Sequence, residues 1–219
     1  MRDTFKNELD AINGTLANMG DLVRTAMKHA TTSLLTADNA LAEQTIRNDN
    51  EIDEMQHDLD SRALMVMARQ APVASDLRVL VTALRMSSDF ERMGDFAHHI
   101  ARLARMYVPN QVVPQELASL VQEMGDIADR LVEKLIRVIE TRDEDLALQI
   151  EVDDDQMDQL QKKIMTMMLD SEWKHGVEVA INLTLLTRYY ERFADHAVSI
   201  SRRVYFLVTG AYAAPREER

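Results

Sequence analysis

The sequence predicts an all-α chain of two tandem three-helix up-down bundles. Three observations point there. Apolar residues recur at steps of three and four over long runs, the period of a helix with one buried face. Only 6 Gly and 4 Pro occur in 219 residues, so elements are long and turns few. The pattern of the first half then returns in the second. Hydrophobic residues are 46% of the chain, enough for a substantial core, and the blend of 5% aromatics with 14 Met suits helices more than sheets.

The first helix is expected over residues 1 to about 36, with Phe5, Leu9, Ile12, Leu16, Met19, Val23, Met27, Ala30 and Leu34 drawing one seam. Thr36-Ala37-Asp38-Asn39 is a polar break with capping residues. A second helix follows to about Gln70, with Ile52, Met55, Leu59, Ala63 and Val66 on its seam. Pro72 marks a turn, with Ser75 or Asp76 expected to cap the third helix, which runs from about Ala74 to Tyr107. The stretch 109–114, with Pro109 and Pro114 at its ends, reads as a linker. Further helices are expected over about 116–140, 144–172 and 177–209, before a polar, frayed tail at 213–219.

The repeat is visible residue by residue. At an offset of 105, Met19-Gly20-Asp21 matches Met124-Gly125-Asp126, and Asp38, Asp49 and Asp53 match Asp143, Asp154 and Asp158. At an offset of 100, Glu91, Arg92, Asp95, Ala97 and Arg102 match Glu191, Arg192, Asp195, Ala197 and Arg202. Residues 1–110 and 111–219 are therefore read as two copies of one unit, the second hairpin five residues shorter around its turn. Gly20 and Gly125, inside helices, cost about 1 kcal/mol each against Ala. Close packing of another helix is the expected reason.

Composition narrows the function. The formal net charge is −12, no basic patch stands out, and nucleic acid or an anionic lipid surface is a poor partner for such a field. With no Cys there is neither disulfide nor thiolate chemistry. No run approaches the roughly 18 apolar residues of a membrane span, and Met1-Arg2-Asp3-Thr4 lacks a signal peptide's apolar run, so a cytoplasmic protein is expected. No phosphate loop, glycine fingerprint or nucleophile–base arrangement is present.

The carboxylates carry the strongest pattern. Glu91-Arg92-Met93-Gly94-Asp95 returns as Glu191-Arg192-Phe193-Ala194-Asp195, each placing Glu and Asp one turn apart on a helix face. In an antiparallel hairpin, residues equidistant from the turn lie side by side. About the Pro72 turn, Asp53 is level with Glu91 and Asp49 with Asp95; about the turn at Lys174-His175, Asp158 is level with Glu191 and Asp154 with Asp195. Each pair follows its apolar seam by about 100°. Four acids should therefore converge on one flank of each hairpin, beside the core. Such groups repel unless something positive sits among them. Oxygen donors suit hard cations, and His98, His99 and His196 near the same edges could add nitrogen. The plain structural alternative is an ion-pair network through Arg92, Arg188 and Arg192.

The doubled E-R-x-[GA]-D run, the Gln70-Ala71-Pro72-Val73-Ala74-Ser75-Asp76-Leu77-Arg78 segment and the tandem three-helix unit together resemble the PhoU family of bacterial phosphate-uptake regulators. The resemblance spans about residues 5–210. It implies a cytoplasmic, non-enzymatic negative regulator linking a phosphate ABC transporter to a sensor histidine kinase. It further implies multinuclear metal, iron or zinc first with magnesium or manganese as alternatives, at Asp49, Asp53, Glu91 and Asp95 and at Asp154, Asp158, Glu191 and Asp195. A homodimer is expected. One departure is His196 against Phe96 after the motif Asp, which suggests that the two sites differ in metal occupancy. A ferritin-like carboxylate metalloenzyme and a purely structural scaffold are the alternatives.

Overall fold

The computed structural model describes residues 2–211 and 213, with side chains from residue 5. It holds α1 (Arg2–Thr36), α2 (Asn39–Gln70), α3 (Ser75–Tyr107), a single 3₁₀ turn (Gln115–Leu117), α4 (Ala118–Thr141), α5 (Glu144–Met168) and α6 (Gly176–Thr209). The architecture is all-α, two three-helix units in tandem, as the sequence predicts. Met1 and the stretch 214–219 lie outside the described residues.

Local chemistry sets the boundaries. Asp38 caps α2 by accepting from the Leu41 amide at 3.0 Å, and Asp143 caps α5 from the Leu146 amide at 2.9 Å. Ala37 and Arg142 ahead of them turn the chain through the left-handed region, with φ of 54° and 57°. Two expectations fail. Neither Ser75 nor Asp76 caps α3: the cap position is Ala74, at φ 51° and without a side-chain bond, because the Pro72 turn swings the chain in through left-handed backbone. And α5 stops four residues early. There the Asp170 carboxylate accepts from the Glu172 amide at 2.9 Å, offering the backbone a turn in place of another helical bond.

The two units share one continuous apolar core. The 109–114 linker is part of it, since Val112 and Val113 are buried and Gln111 donates from its side chain to the Leu35 carbonyl at 2.7 Å. Two antiparallel crossings join the units, α1 with α4 and α3 with α6. The α1–α4 crossing obeys the internal repeat. A Cβ on Gly20 would lie 2.7 Å from Ile136, and one on Gly125 would lie 2.7 Å from Thr31. The offset of 105 turns the first contact into the second. The two units are thus related by a pseudo-twofold axis. On that axis Arg24 meets its own counterpart, Asp129, in a two-pronged ion pair at 2.7 and 2.9 Å. Thr31, seated over Gly125, gives its proton to the Met27 carbonyl and accepts from the fully buried Tyr190 hydroxyl at 2.7 Å, so this contact also anchors α6.

The α3–α6 crossing keeps the symmetry but not the chemistry. Asp89 accepts from His196 Nδ1 at 2.9 Å and Arg203 Nε at 2.9 Å, with Ser199 at 3.5 Å. The matching position, Tyr189, lies against the rings of Phe96 and His99, with centroids 6.3 and 5.2 Å apart. Burial holds the His99 imidazole below its ordinary pKa.

Gly125→Val should cost about 1–3 kcal/mol by overpacking Thr31, whereas Gly14→Ala, where a Cβ meets nothing within 4 Å on an exposed helix face, should gain about 0.5–1 kcal/mol. Urea denaturation of both variants checks the pair; equal effects would remove the steric account of Gly125.

Candidate metal centre

In the first unit α2 presents Asp49 and Asp53, and α3 presents Glu91 and Asp95. All four are half-buried, flanking the buried Met93 and Ala97. Their fields overlap. Burial, then the charges of Asp53 and Asp95, raise the Asp49 carboxyl pKa, offset in part by a hydrogen bond from His98. Glu91 is raised by burial and by Asp95, with Arg92 pulling the other way and Asp53 and Asp49 adding to the rise. The four acids are thus near enough for their charges to be felt by Asp49 and Glu91.

The second unit repeats the arrangement. Burial, then Asp158 and Asp195, push the Asp154 carboxyl up to about 7. Asp158, at the exposed rim, is raised by burial and Asp195. Glu191 is raised by burial and Asp195, against the pull of Arg188 and Arg192. Its Oε2 is a buried oxygen with no hydrogen-bond partner.

The arginines are where the ion-pair alternative puts them. Arg92 donates to Asp95 at 2.9 Å and lies 3.6 Å from Glu91. Arg188 donates to Glu191 at 2.5 Å, and Arg192 stands 3.6 Å from Asp195. With carboxylates turned toward these guanidiniums, no three His, Asp or Glu side chains among the described residues form a finished cation cage. In donor chemistry the clusters still fit a hard or borderline cation. Each has four carboxylates on its two helices, and Glu191 Oε2 makes no hydrogen bond, its nearest cationic partner being Arg192 at 3.9 Å. Rotation of side chains away from the exposed arginines is what a cation would require.

The histidines sort differently from the sequence expectation. His98 joins the first cluster, its Nδ1 lying 2.6 Å from Asp49 Oδ2. His196 does not reach the second, being held by Asp89 in the α3–α6 crossing, and His99 packs on Tyr189. The residue that separates the two clusters is therefore His98, whose counterpart is the buried Val198. Sequence reasoning also missed Asp89 and the basic partners beside the second cluster. There Arg202 binds Glu151 at 2.6 and 3.1 Å, and Lys134 binds Asp153. Arg202 has a counterpart in Arg102, but its partner Glu151 falls on Ile46 and the other residues do not repeat, so the repeat gave no signal for these pairs.

A PhoU domain profile matches residues 16–104 and again 121–204. The chain belongs to the PhoU family. It is 42% identical to the phosphate-specific transport system accessory protein PhoU homolog 2 of Mycobacterium tuberculosis, over 97% of this chain and 100% of that protein. Its fold matches the crystal structure of PhoU from Pseudomonas aeruginosa with a TM-score of 0.83 at 29% identity, covering 94% of this chain and 100% of that one. The phosphate transport system regulatory protein PhoU from Streptococcus pneumoniae matches with a TM-score of 0.83 at 27% identity, covering 96% and 100%.

The raised carboxyls make metal-free stability depend on pH. A carboxyl that titrates near 7 when folded and near its ordinary 3.8 when unfolded costs the fold nothing below about 4 and progressively more from there to about 7, above which the loss is complete. Asp154→Asn should then raise the melting temperature of chelator-treated protein at pH 8 and leave it almost unchanged at pH 4.5. Thermal melts across that range check it, and a shift of equal size at both ends would refute the raised pKa.

Proposed function

We propose that this chain is an accessory regulator of a phosphate transport system. It acts as a cytoplasmic, homodimeric negative regulator that couples a phosphate ABC transporter to a sensor histidine kinase and lowers the starvation response when phosphate is ample. Membership of the PhoU family over nearly the whole chain carries the reading. No helix among the described residues is long and apolar enough to cross a membrane, which fits a protein that works alongside a transporter.

In this reading the carboxylate clusters are structural metal sites and the protein is not an enzyme. Asp49, Asp53, Glu91 and Asp95 hold one group of cations, and Asp154, Asp158, Glu191 and Asp195 the other. Bound iron, zinc, manganese or magnesium supplies positive charge that cancels carboxylate repulsion. The chain's own residues do the rest. Acids contributed by two helices draw α2 against α3 and α5 against α6, which fixes the flank offered to partners. Arg92, Arg188 and Arg192 hold the same carboxylates in the ion-pair arrangement and compete with that closure. The inward Glu-x-x-His pairs of ferritin-like bundles have no counterpart in these flank-facing Glu-x-x-x-Asp runs.

In a bacterial strain lacking its own PhoU-type regulator, the wild-type chain should restore phosphate-dependent repression of uptake, and Asp95→Ala combined with Asp195→Ala should not. Elemental analysis of protein purified without chelator should find metal in the wild type and much less in the variant. A metal-free wild type, with the double variant folding and repressing normally, would sink the metal-dependent reading.

A further inference from the structure

The tip of the first hairpin is charged against the rest of the molecule. Asp60 accepts from Ser87 at 3.1 Å, and Asp89 is committed to the α3–α6 crossing. Between those two acids the chain carries Arg62, Arg69, Arg78 and Arg85 against Asp76 alone. The stretch 61–88 thus has a net charge of +3, and the remainder of the −12 chain carries −15. Spaced seven to nine residues apart, the arginines form no basic run, and only the fold gathers them at one tip. Arg62 pairs with Glu8 at 2.7 Å, and Arg78 lies over the Phe206 ring at 5.1 Å. Neither Arg69 nor Arg85 has an ion pair among the described residues.

The same tip is apolar where it meets water. Leu77 and Val81, one turn apart on α3, are 40% and 38% exposed and form an outer stripe, which Arg85 continues one turn on. Val73, 74% exposed, stands in the turn just ahead. Across the hairpin, Leu64 of α2 is 59% exposed and level with Val81 about the Pro72 turn. The second hairpin repeats the stripe but not the charge. Val177 and Ile181 match Leu77 and Val81 at the offset of 100, whereas Arg78 becomes Glu178 and Arg85 becomes Leu185. Over 161–188 four basic residues face three acids, and two of the four are taken, Lys174 by Glu116 and Arg188 by Glu191.

An occupant of the first tip must therefore bring apolar side chains flanked by negative charge. It must also be narrow. Arg142 lines one cavity with Val79, which puts the α4–α5 turn at this end of the molecule, and Glu144 and Asp145 just after that turn are exposed. A broad anionic plane such as a lipid surface would press on those acids, whereas a single helix would not. We propose that the tip of the α2–α3 hairpin is a docking surface for an acidic amphipathic helix of a partner protein. The helix lays its aliphatic face on Leu64, Leu77 and Val81, and its flanking carboxylates meet Arg78 and Arg85. The surface is present whether or not the carboxylate clusters hold metal.

The experiment titrates the full chain, by fluorescence anisotropy, with three dye-labelled helical peptides of roughly 18 residues. The first carries leucine at steps of three and four with glutamate on both flanks. The second replaces each glutamate with lysine. The third has the composition of the first, scrambled so that no apolar face forms. The wild type should bind the first at least about tenfold tighter than the other two, and less tightly as salt is raised. Leu77→Asn with Val81→Asn should weaken that binding at least about tenfold, and Val177→Asn with Ile181→Asn should leave it unchanged. Arg78→Glu with Arg85→Glu should reverse the preference, so that the lysine peptide binds the tighter, a gain that misfolding could not produce. A photoreactive group on the first peptide should label residues within 61–88. Equal binding of the first and scrambled peptides, labelling centred on the α5–α6 hairpin, or an unreversed preference in the arginine variant would overturn the inference. So would pelleting of the wild type with vesicles of phosphatidylglycerol and phosphatidylcholine that the arginine variant loses, since the tip would then bind lipid. Dimerisation lost in Leu77→Asn with Val81→Asn would overturn it too, in favour of a second copy of the chain as the occupant.

Discussion

The structure depends on how closely α1 and α4 can approach. Glycine at positions 20 and 125 removes the two side-chain atoms that would hold these helices apart, and Ile136 and Thr31 fill the space. Thr31, lying on Gly125, also meets the Tyr190 hydroxyl from α6. Thus one crossing at the centre sets the positions of helices from both halves. Helix propensity works against these glycines by about 1 kcal/mol each. What offsets it is contact over a core that runs unbroken through both units.

The carboxylate flanks are a consequence of that order. Because Met93, Ala97, Phe193 and Ala197 are committed to the interior, the acids two positions away lie at the edge of the core, half-buried. There burial and the neighbouring Asp95 and Asp195 make Glu91 and Glu191 harder to ionise. The arginines relieve this from the solvent side, though Glu191 Oε2 keeps no hydrogen bond and lies 3.9 Å from Arg192. The fold thereby holds carboxylate repulsion in place in two related positions.

Much of this was legible in the sequence because it depends on period and spacing. Seams at steps of three and four gave the six helices, and equal distances from Pro72 gave the level of Asp53 with Glu91. Gly20 and Gly125 betrayed the close crossing because they recur at the same place in both halves, where a packing reason is the natural one. What stayed hidden depends on contacts between residues far apart in the chain. Asp89 meets His196 and Arg203 only once α3 lies against α6, and no local pattern distinguishes it from any other helix Asp. The same contact removed His196 from the second cluster, where adjacency to Asp195 had suggested it. The early end of α5 was hidden for a smaller reason: Asp170 reads equally well as one more helical residue and as the start of a turn.

The Arg24–Asp129 pair lies where the pseudo-twofold axis passes, so each residue faces the position that is its own equivalent in the other half. Were either half to pair with a copy of itself, arginine would meet arginine, or aspartate would meet aspartate. At the other crossing, Asp89 would lose His196 and face Phe96, a shielded carboxylate without a partner. The duplicated halves have therefore become complementary and are no longer interchangeable. Each is the specific mate of the other, and the covalent link between them guarantees one of each in every molecule.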